Sequence, residues 1–266
     1  MGMNEGSGKA DETIGRGSRL GVVVLSTNLT VEREFRRMLP EGVSFHISRC
    51  PIRDETVDER KKERAFLDLE ADILDAARRV AMTRPDLILF ACTVGSFLDA
   101  QRGPADLSER IHEATGRPGL TTSQAILEAL KELGINRLAL FSPYPEGMGI
   151  REKAFLERMV PGLRIVAMRH LGIVGSFEKN FIPPSQTYRL AKEIVTPEAD
   201  GLFLSCTALP TMEIIDPLER DLGLPVITST QASLWACLRR LRVRGPTGYG
   251  RLLAGTGFPP GGPSTP

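Results

Sequence analysis

The sequence predicts an α/β protein of two pseudo-symmetric, doubly wound parallel-sheet halves with a functional cleft between them. Three observations lead there. A buried-strand motif occurs twice, as PDLILFACT from Pro85 to Thr93 and ADGLFLSCT from Ala199 to Thr207. Each copy has Asp in second place, then mostly apolar residues, then Cys-Thr. A second pair of segments recurs in the same order, RPGLTTSQAILEAL from Arg117 and LPVITSTQASLWACL from Leu224, so that Gln124 matches Gln231 and Ala125 matches Ala232. A looser third pair, RLGVVVLSTN from Arg19 and RLALFSPY from Arg137, heads each unit with an apolar run ending in polar turn residues. Self-similarity in a repeated order marks a duplicated unit, here with a shorter loop after the second cysteine. The expected halves are 19–135 and 136–257, with exchange of chain at the C-terminus and flexible tails at 1–18 and 258–266.

The elements follow in order. LGVVVLS from Leu20 is a buried strand. Asn28 falls in the turn after it, and Thr30 is the expected N-cap of a helix whose stripe is Val31, Phe35, Met38 and Leu39. VSFHIS alternates as a second strand. One long amphipathic helix is expected over Lys61–Met82, with Leu67, Ile73, Leu74, Ala77 and Val80 on one face. The first Cys-Thr strand comes next, then a turn at Gly95 and Ser96, then a helix over Asp106–Thr115 stopped by Gly116. GLTTS is a short strand whose hydroxyls cap the helix SQAILEALKELGI.

The second half repeats the pattern. RLALFS is its first strand, with Pro143, Tyr144 and Pro145 in the turn beyond. A helix over Arg151–Met159 and the strand RIVAMRHLG lead to the polar, proline-containing segment SFEKNFIPPS, which carries Asn180. A helix over Ser185–Val195 precedes the second Cys-Thr strand. IDPLERDLG reads as a short helix with Asp216 as N-cap, Pro217 at its first position and Gly223 as stop.

Composition narrows the chemistry. With 34 basic and 33 acidic residues in 266, the net charge of +1 offers no field for nucleic acid or an anionic membrane. No apolar run approaches the roughly 20 residues needed to span a bilayer, and the expected location is cytoplasmic. Four cysteines without a CxxC spacing exclude a disulfide scaffold. His46, His112 and His170 lie far apart without ligand spacing, so no metal is expected.

In parallel sheets, ligands collect beyond the carboxyl ends of the strands, where Asn28, Cys92, Tyr144 and Cys206 all fall. A thiol there, beside the N–H groups of a turn, has its thiolate stabilised and serves as nucleophile or base. Two thiols across one cleft can move a proton from one side of a molecule to the other, or one can add to a double bond while its partner handles the proton. Thr93 and Thr207, with nearby N–H groups, suit a carboxylate or a developing enolate. None of this chemistry calls for a cofactor. Cysteine is also among the most buried residue types, so each motif reads as core as readily as catalyst. Cys50 and Cys237, which lack polar neighbours of this kind, read as core.

The segments LGVVVLSTNLTVERE, FACTVGS, FSPY, FEKN, LSCTALPTMEIIDPLE, PVITSTQASLW and GYGRLLAGTG together resemble the aspartate/glutamate racemase superfamily. Within it they resemble the branch of maleate cis-trans isomerase, arylmalonate decarboxylase and an ectoine-utilisation protein. The resemblance implies a cofactor-independent, usually oligomeric enzyme, as dimer or tetramer, acting on small carboxylates. It implies Cys92 as nucleophile, Cys206 as acid and base, and Asn28, Tyr144 and Asn180 as carboxylate ligands. The N–H groups around Thr93 and Thr207, Val94 and Ala208 included, are assigned to the enolate. Decarboxylases of the branch have Gly at the first cysteine, so Cys92 favours isomerisation or racemisation. The stretch TSTQASLW is nearer the decarboxylase and ectoine-utilisation members. The expected activity is therefore isomerisation of a small dicarboxylate, maleate foremost, with a racemase or an arylmalonate-type decarboxylase as enzymatic alternatives and a dicarboxylate sensor as the non-enzymatic one.

Overall fold

The structure, a computed structural model, describes residues 17–52, 59–98 and 104–255. Apart from residues 17 and 18, both expected tails lie outside the described residues. Strands β1 (Ser18–Leu25), β2 (Val43–Cys50), β3 (Leu87–Phe90) and β4 (Gly119–Thr121) form one sheet in the order β2-β1-β3-β4. Strands β5 (Arg137–Ser142), β6 (Arg164–His170), β7 (Gly201–Leu204) and β8 (Val226–Thr228) form a second in the order β6-β5-β7-β8. Every pairing is parallel.

The repetition reaches single hydrogen bonds. Asp86 accepts from the Arg19 N–H at 2.7 Å, and Asp200 accepts from the Arg137 N–H at 2.7 Å. Arg19 Nε donates to the Arg84 carbonyl at 3.1 Å, and Arg137 Nε donates to the Glu198 carbonyl at 2.6 Å. The repeated Asp thus pins the start of each Cys-Thr strand to the start of its neighbour and sets the register. Leu20 then pairs with Leu87, as Leu138 pairs with Gly201. The same alignment carries the cysteines two residues past the ladders, just after Ala91, whose N donates to the Val23 carbonyl, and Ser205, whose N donates to the Phe141 carbonyl, both at 2.8 Å.

The helices are α1 (Thr30–Met38), α2 (Glu59–Leu67), α3 (Glu70–Ala81), α4 (Thr93–Phe97), α5 (Pro104–Thr115) and α6 (Thr122–Glu132) in the first half. In the second they are α7 (Glu146–Met159), α8 (Pro184–Ile194), α9 (Ile215–Leu222), α10 (Ser229–Leu241) and α11 (Gly250–Ala254). Equivalent helices α6 and α10 pack on one another and join the halves, through Thr122 and Ser233 hydroxyls at 3.0 Å and ion pairs Arg239–Glu132 and Arg240–Glu128. Thr121 and Thr228 cap them as their hydroxyls predict, and Gln231 completes a capping box in α10.

Several expectations are corrected. The long helix over Lys61–Met82 is two, α2 and α3, broken at Asp68 and Leu69. A continuous helix would hold Phe66 and Ile73 on one face; the break sends Phe66 to the inter-half cavity and Ile73 to the core. Thr30 is the first helical residue of α1 and not its cap. That end is satisfied by Asn28 Oδ1, accepting from Val31 N at 2.9 Å, and by Asn180 Oδ1, accepting from Leu29 N at 2.9 Å. Asp216 lies inside α9, where its Oδ1 accepts from Gly250 N at 2.6 Å and ties down α11. Gly223 does stop α9, at φ 71°. Gly95 and Ser96 belong to α4. Helix α7 starts at Glu146, ahead of the expected Arg151; Gly149, which reads as a helix breaker on the sequence, lies inside it because a Cβ there would lie 2.1 Å from the His170 ring.

One buried acid also bridges the halves. Glu34 on α1 accepts from the N–H groups of Thr211 at 2.6 Å and Met212 at 3.0 Å. Burial pushes its acid from 4.5 up to about 7. The folded state therefore holds this proton more tightly, and the associated stability is full below 4.5 and lost as pH rises through about 7. Glu34→Gln keeps the acceptor and cannot ionise. It is expected to raise the unfolding free energy at pH 8 by on the order of 3 kcal/mol and to have little effect at pH 4, as measured by urea titration.

Candidate active site

Cys92, two residues beyond β3, has extended backbone (φ −150°) and caps α4, its sulfur accepting from Gly95 N at 3.4 Å. Its counterpart differs. Cys206 has φ +103°, a left-handed conformation costing about 1–3 kcal/mol in a non-glycine residue. The strain is held by neighbours: Cys206 N donates to Ser229 Oγ at 3.0 Å, and the same oxygen accepts from Thr93 Oγ1 at 2.9 Å. Ser229 thus ties the two Cys-Thr segments together.

On the other side of the cavity, Asn28 Nδ2 donates to Thr207 Oγ1 at 3.3 Å, which donates to the Ala91 carbonyl at 3.3 Å. Thr30 Oγ1 donates to the Ala208 carbonyl at 2.9 Å. The first half's first-turn residues therefore hold the second half's cysteine loop.

These residues enclose a cavity of about 30 Å³, room for roughly two waters, so a four-carbon acid enters with some displacement of the walls. Asn28, Cys92, Thr93, Val94, Tyr144, Cys206, Thr207 and Ala208 all line it. Asn180 does not. Its oxygen accepts from the first turn of α1 and its amide donates to the carbonyls of Thr27 at 2.9 Å and Phe177 at 2.8 Å. It reaches the site by shaping the turn that carries Asn28.

The neighbouring residue, Lys179, enters the wall instead. Lys179 is 6% exposed and stands with Nζ 5.2 Å from the Tyr144 ring centroid. Among the described residues lining the cavity it is the cationic one. Sequence reading singled out FEKN but took its Asn and passed over its Lys, which a polar segment presents as a surface residue. Ser229 was likewise hidden in the helix-capping stretch. An adjoining lobe of about 20 Å³ is walled by Phe66, Pro145, Met148 and Val174.

The electrostatics overturn the expectation of lowered thiols. In the closed cavity burial pushes Cys92 up to about 12, against the pull of the Gly95 N–H and Lys179. Burial raises Cys206 too, opposed first by Lys179, then by the Ala208 N–H and Tyr144. Thiolate formation here depends on the ammonium and on hydrogen-bond donors, and the short α4 does not overcome the loss of water. Among the described residues, no group of three or more His, Cys, Asp or Glu could hold a metal ion, and no helix is long and apolar enough to cross a membrane.

Two parallel α/β halves delivering one cysteine each to a closed cavity define a protein of the aspartate/glutamate racemase kind. The arylmalonate decarboxylase family model matches residues 20–253, and the chain belongs to that family. It is 29% identical to the maleate isomerase of Nocardia farcinica over 248 residues, 88% of this chain and 95% of the isomerase. It is 33% identical to the arylmalonate decarboxylase of Bordetella bronchiseptica over 187 residues, 68% of this chain and 76% of the decarboxylase. Among solved structures, a cysteine-to-serine variant of the Nocardia farcinica maleate cis-trans isomerase with a covalently bound succinylcysteine intermediate superposes with a TM-score of 0.80. That match is 26% identical and covers 90% of this chain and 98% of the isomerase chain.

Proposed function

We propose that the chain is a cofactor-independent isomerase of a small dicarboxylate, with maleate-to-fumarate conversion as the leading reaction. The observation that carries this reading is the pair of buried thiols, one from each half, in a cavity that also holds an ammonium. A dianion needs that charge. A two-step addition and elimination needs both sulfurs, and a relative with a succinyl group on cysteine supports covalent addition.

In the proposed sequence the Cys92 thiolate, stabilised by Lys179 and the Gly95 N–H, adds to one alkene carbon. The displaced electron pair moves to the other carbon and takes the proton of the Cys206 thiol. The former double bond is now single and rotates. The Cys206 thiolate then removes the proton, the double bond re-forms and Cys92 leaves as thiolate. Lys179 and Tyr144 bind one carboxylate; Asn28 and Thr207 bind the other. Backbone N–H groups at Thr93, Val94 and Ala208 steady the enolate-like charge between steps. Asn180 acts as a positioning residue through the Asn28 turn.

The same proposal keeps the division at residues 135 and 136, supported by the internal repeat, a dimeric or tetrameric homo-oligomer, supported by the resemblance, and a cytoplasmic location. The 33% identity to an arylmalonate decarboxylase favours decarboxylation of a substituted malonate as second reading.

Proton NMR of the purified protein with maleate in deuterated buffer tests the first. Fumarate is the expected product. Its absence, with carbon dioxide released from an aryl malonate, would replace the isomerase by the decarboxylase. Deuterium entering the α-carbon of a chiral acid instead would indicate a racemase.

A further inference from the structure

Helix α10 begins with Ser229, which is fully buried and follows the cap Thr228. The helix start is firmly tied. Thr228 Oγ1 accepts from Gln231 N at 3.1 Å, Gln231 Oε1 accepts from Thr228 N at 3.2 Å, and Gln231 Nε2 donates to the Tyr249 carbonyl at 2.7 Å. Ser229 Oγ is therefore a fixed point, and two groups donate to it, Cys206 N at 3.0 Å and Thr93 Oγ1 at 2.9 Å.

Its place in the repeat is that of Thr122, yet the two hydroxyls do different things. The first half reads Thr121-Thr122-Ser123 and the second Thr228-Ser229-Thr230, with serine and threonine exchanged. Thr122 Oγ1 donates to the Phe90 carbonyl of its own half at 3.3 Å, and Cys92 keeps relaxed backbone at φ −150°. Ser229 instead takes the N–H of Cys206, and Cys206 is left-handed at φ +103°. The exchanged hydroxyls and the reversed backbone thus fall at the same point of the repeat.

The angle φ is the rotation about the N–Cα bond of Cys206. On the far side of that bond, Leu209 N donates to the Cys206 carbonyl at 3.1 Å, and Asn28 and Thr30 hold Thr207 and Ala208. On the near side, the Cys206 N–H is held by the Ser229 oxygen. With that acceptor gone, the N–H is free to turn and φ can relax to the negative values that a side chain prefers. The sulfur is carried on Cα, so this relaxation moves it relative to Cys92.

We propose that Ser229 is a positioning residue that locks Cys206 in its left-handed conformation, sets the placement of its sulfur opposite Cys92, and so governs the rate at which the proton is taken off carbon. The proton-transfer role of Cys206 rests on the isomerase reading above; the backbone lock does not.

Ser229→Ala removes the acceptor. With maleate as substrate it is expected to lower kcat about 10²-fold, the cost of misplacing a reacting group by roughly 1 Å, with KM within about threefold. Addition by Cys92 survives: its sulfur bonds to one alkene carbon, and the neighbouring carbon takes a proton from water. An adduct heavier by one diacid should therefore build up on the Cys92 peptide, read by mass spectrometry. Thr122→Ala deletes the equivalent hydroxyl between the same two helices. It is expected to keep kcat within about threefold and to accumulate no adduct. Unchanged kcat in Ser229→Ala, a loss of kcat without adduct, or the same adduct in Thr122→Ala overturns the proposal.

A second measurement needs no turnover. At φ +103° glycine is unstrained and alanine is not. Cys206→Gly is therefore expected to be more stable than Cys206→Ala by about tenfold or more in the unfolding constant, measured by urea titration. In a Ser229→Ala background the backbone can relax, and the advantage of glycine is expected to shrink to about twofold or less. An advantage of the same size in both backgrounds overturns the proposal. A lost advantage in a protein that forms no fumarate refutes the isomerase reading alone.

Discussion

Cys92→Ser and Cys206→Ser are each expected to lower kcat on maleate by about 10³-fold or more, and to stop the reaction at different points. Serine at 92 lacks a nucleophile that ionises in this cavity, so that variant should form no covalent species. Serine at 206 leaves the attacking sulfur in place and removes the base that takes the proton off carbon, so an adduct protonated by water, heavier by one diacid, should accumulate on the peptide carrying Cys92. Intact-protein and peptide mass spectrometry after mixing with maleate distinguish the two. Full activity in both single variants would falsify the two-thiol mechanism. The contrast is sharp because the two sulfurs are held differently: Cys92 caps a helix in relaxed backbone, whereas Cys206 is strained at φ +103°.

Lys179→Met is expected to raise KM for the diacid by roughly 30-fold or more and to lower kcat as well, the loss of about 2 kcal/mol or more that follows when one member of a buried charge pair is removed. The side chain is 6% exposed against the Tyr144 ring, so methionine fills much of the same volume. The effect is therefore expected to be one of charge. Steady-state kinetics with maleate and with a mono-acid of the same length check this: the variant should discriminate less between the two. Unchanged selectivity would assign Lys179 to packing. The same substitution should also slow alkylation of Cys206, because Lys179 is the largest influence opposing the rise of that thiol.

Much of the fold was legible because it is written in local patterns. Short apolar runs bounded by turn residues read as buried parallel strands, VSFHIS read as a strand by alternation, and the repeated Asp and Cys-Thr located equivalent ends. Misread boundaries have local causes. Gly149 obscured the start of α7 because its role is to admit His170, and the long helix looked continuous because Leu67, Ile73, Leu74, Ala77 and Val80 keep helical spacing across the break at Asp68 and Leu69.

The candidate site was legible to the extent that its residues follow strand ends, which is why eight of the nine expected residues line one cavity. Asn180 and Lys179 were exchanged because they are adjacent in an irregular segment, where periodicity does not say which side chain points inward. Glu152 carried no signal at all: on a sequence it is one more acid in a helix, and its burial against the hydroxyl of Ser205, just beyond β7, exists only in the fold.

By itself, then, the sequence determined the duplicated α/β halves and the two thiols at equivalent strand ends, since these depend on short-range patterning repeated between like segments; the strand orders within the sheets came with the tertiary structure. The tertiary structure decided the acidity of those thiols and the asymmetry between them. Both depend on burial, on the placement of Lys179 and on the Ser229 bridge between halves, which are distances across the chain that no local pattern encodes.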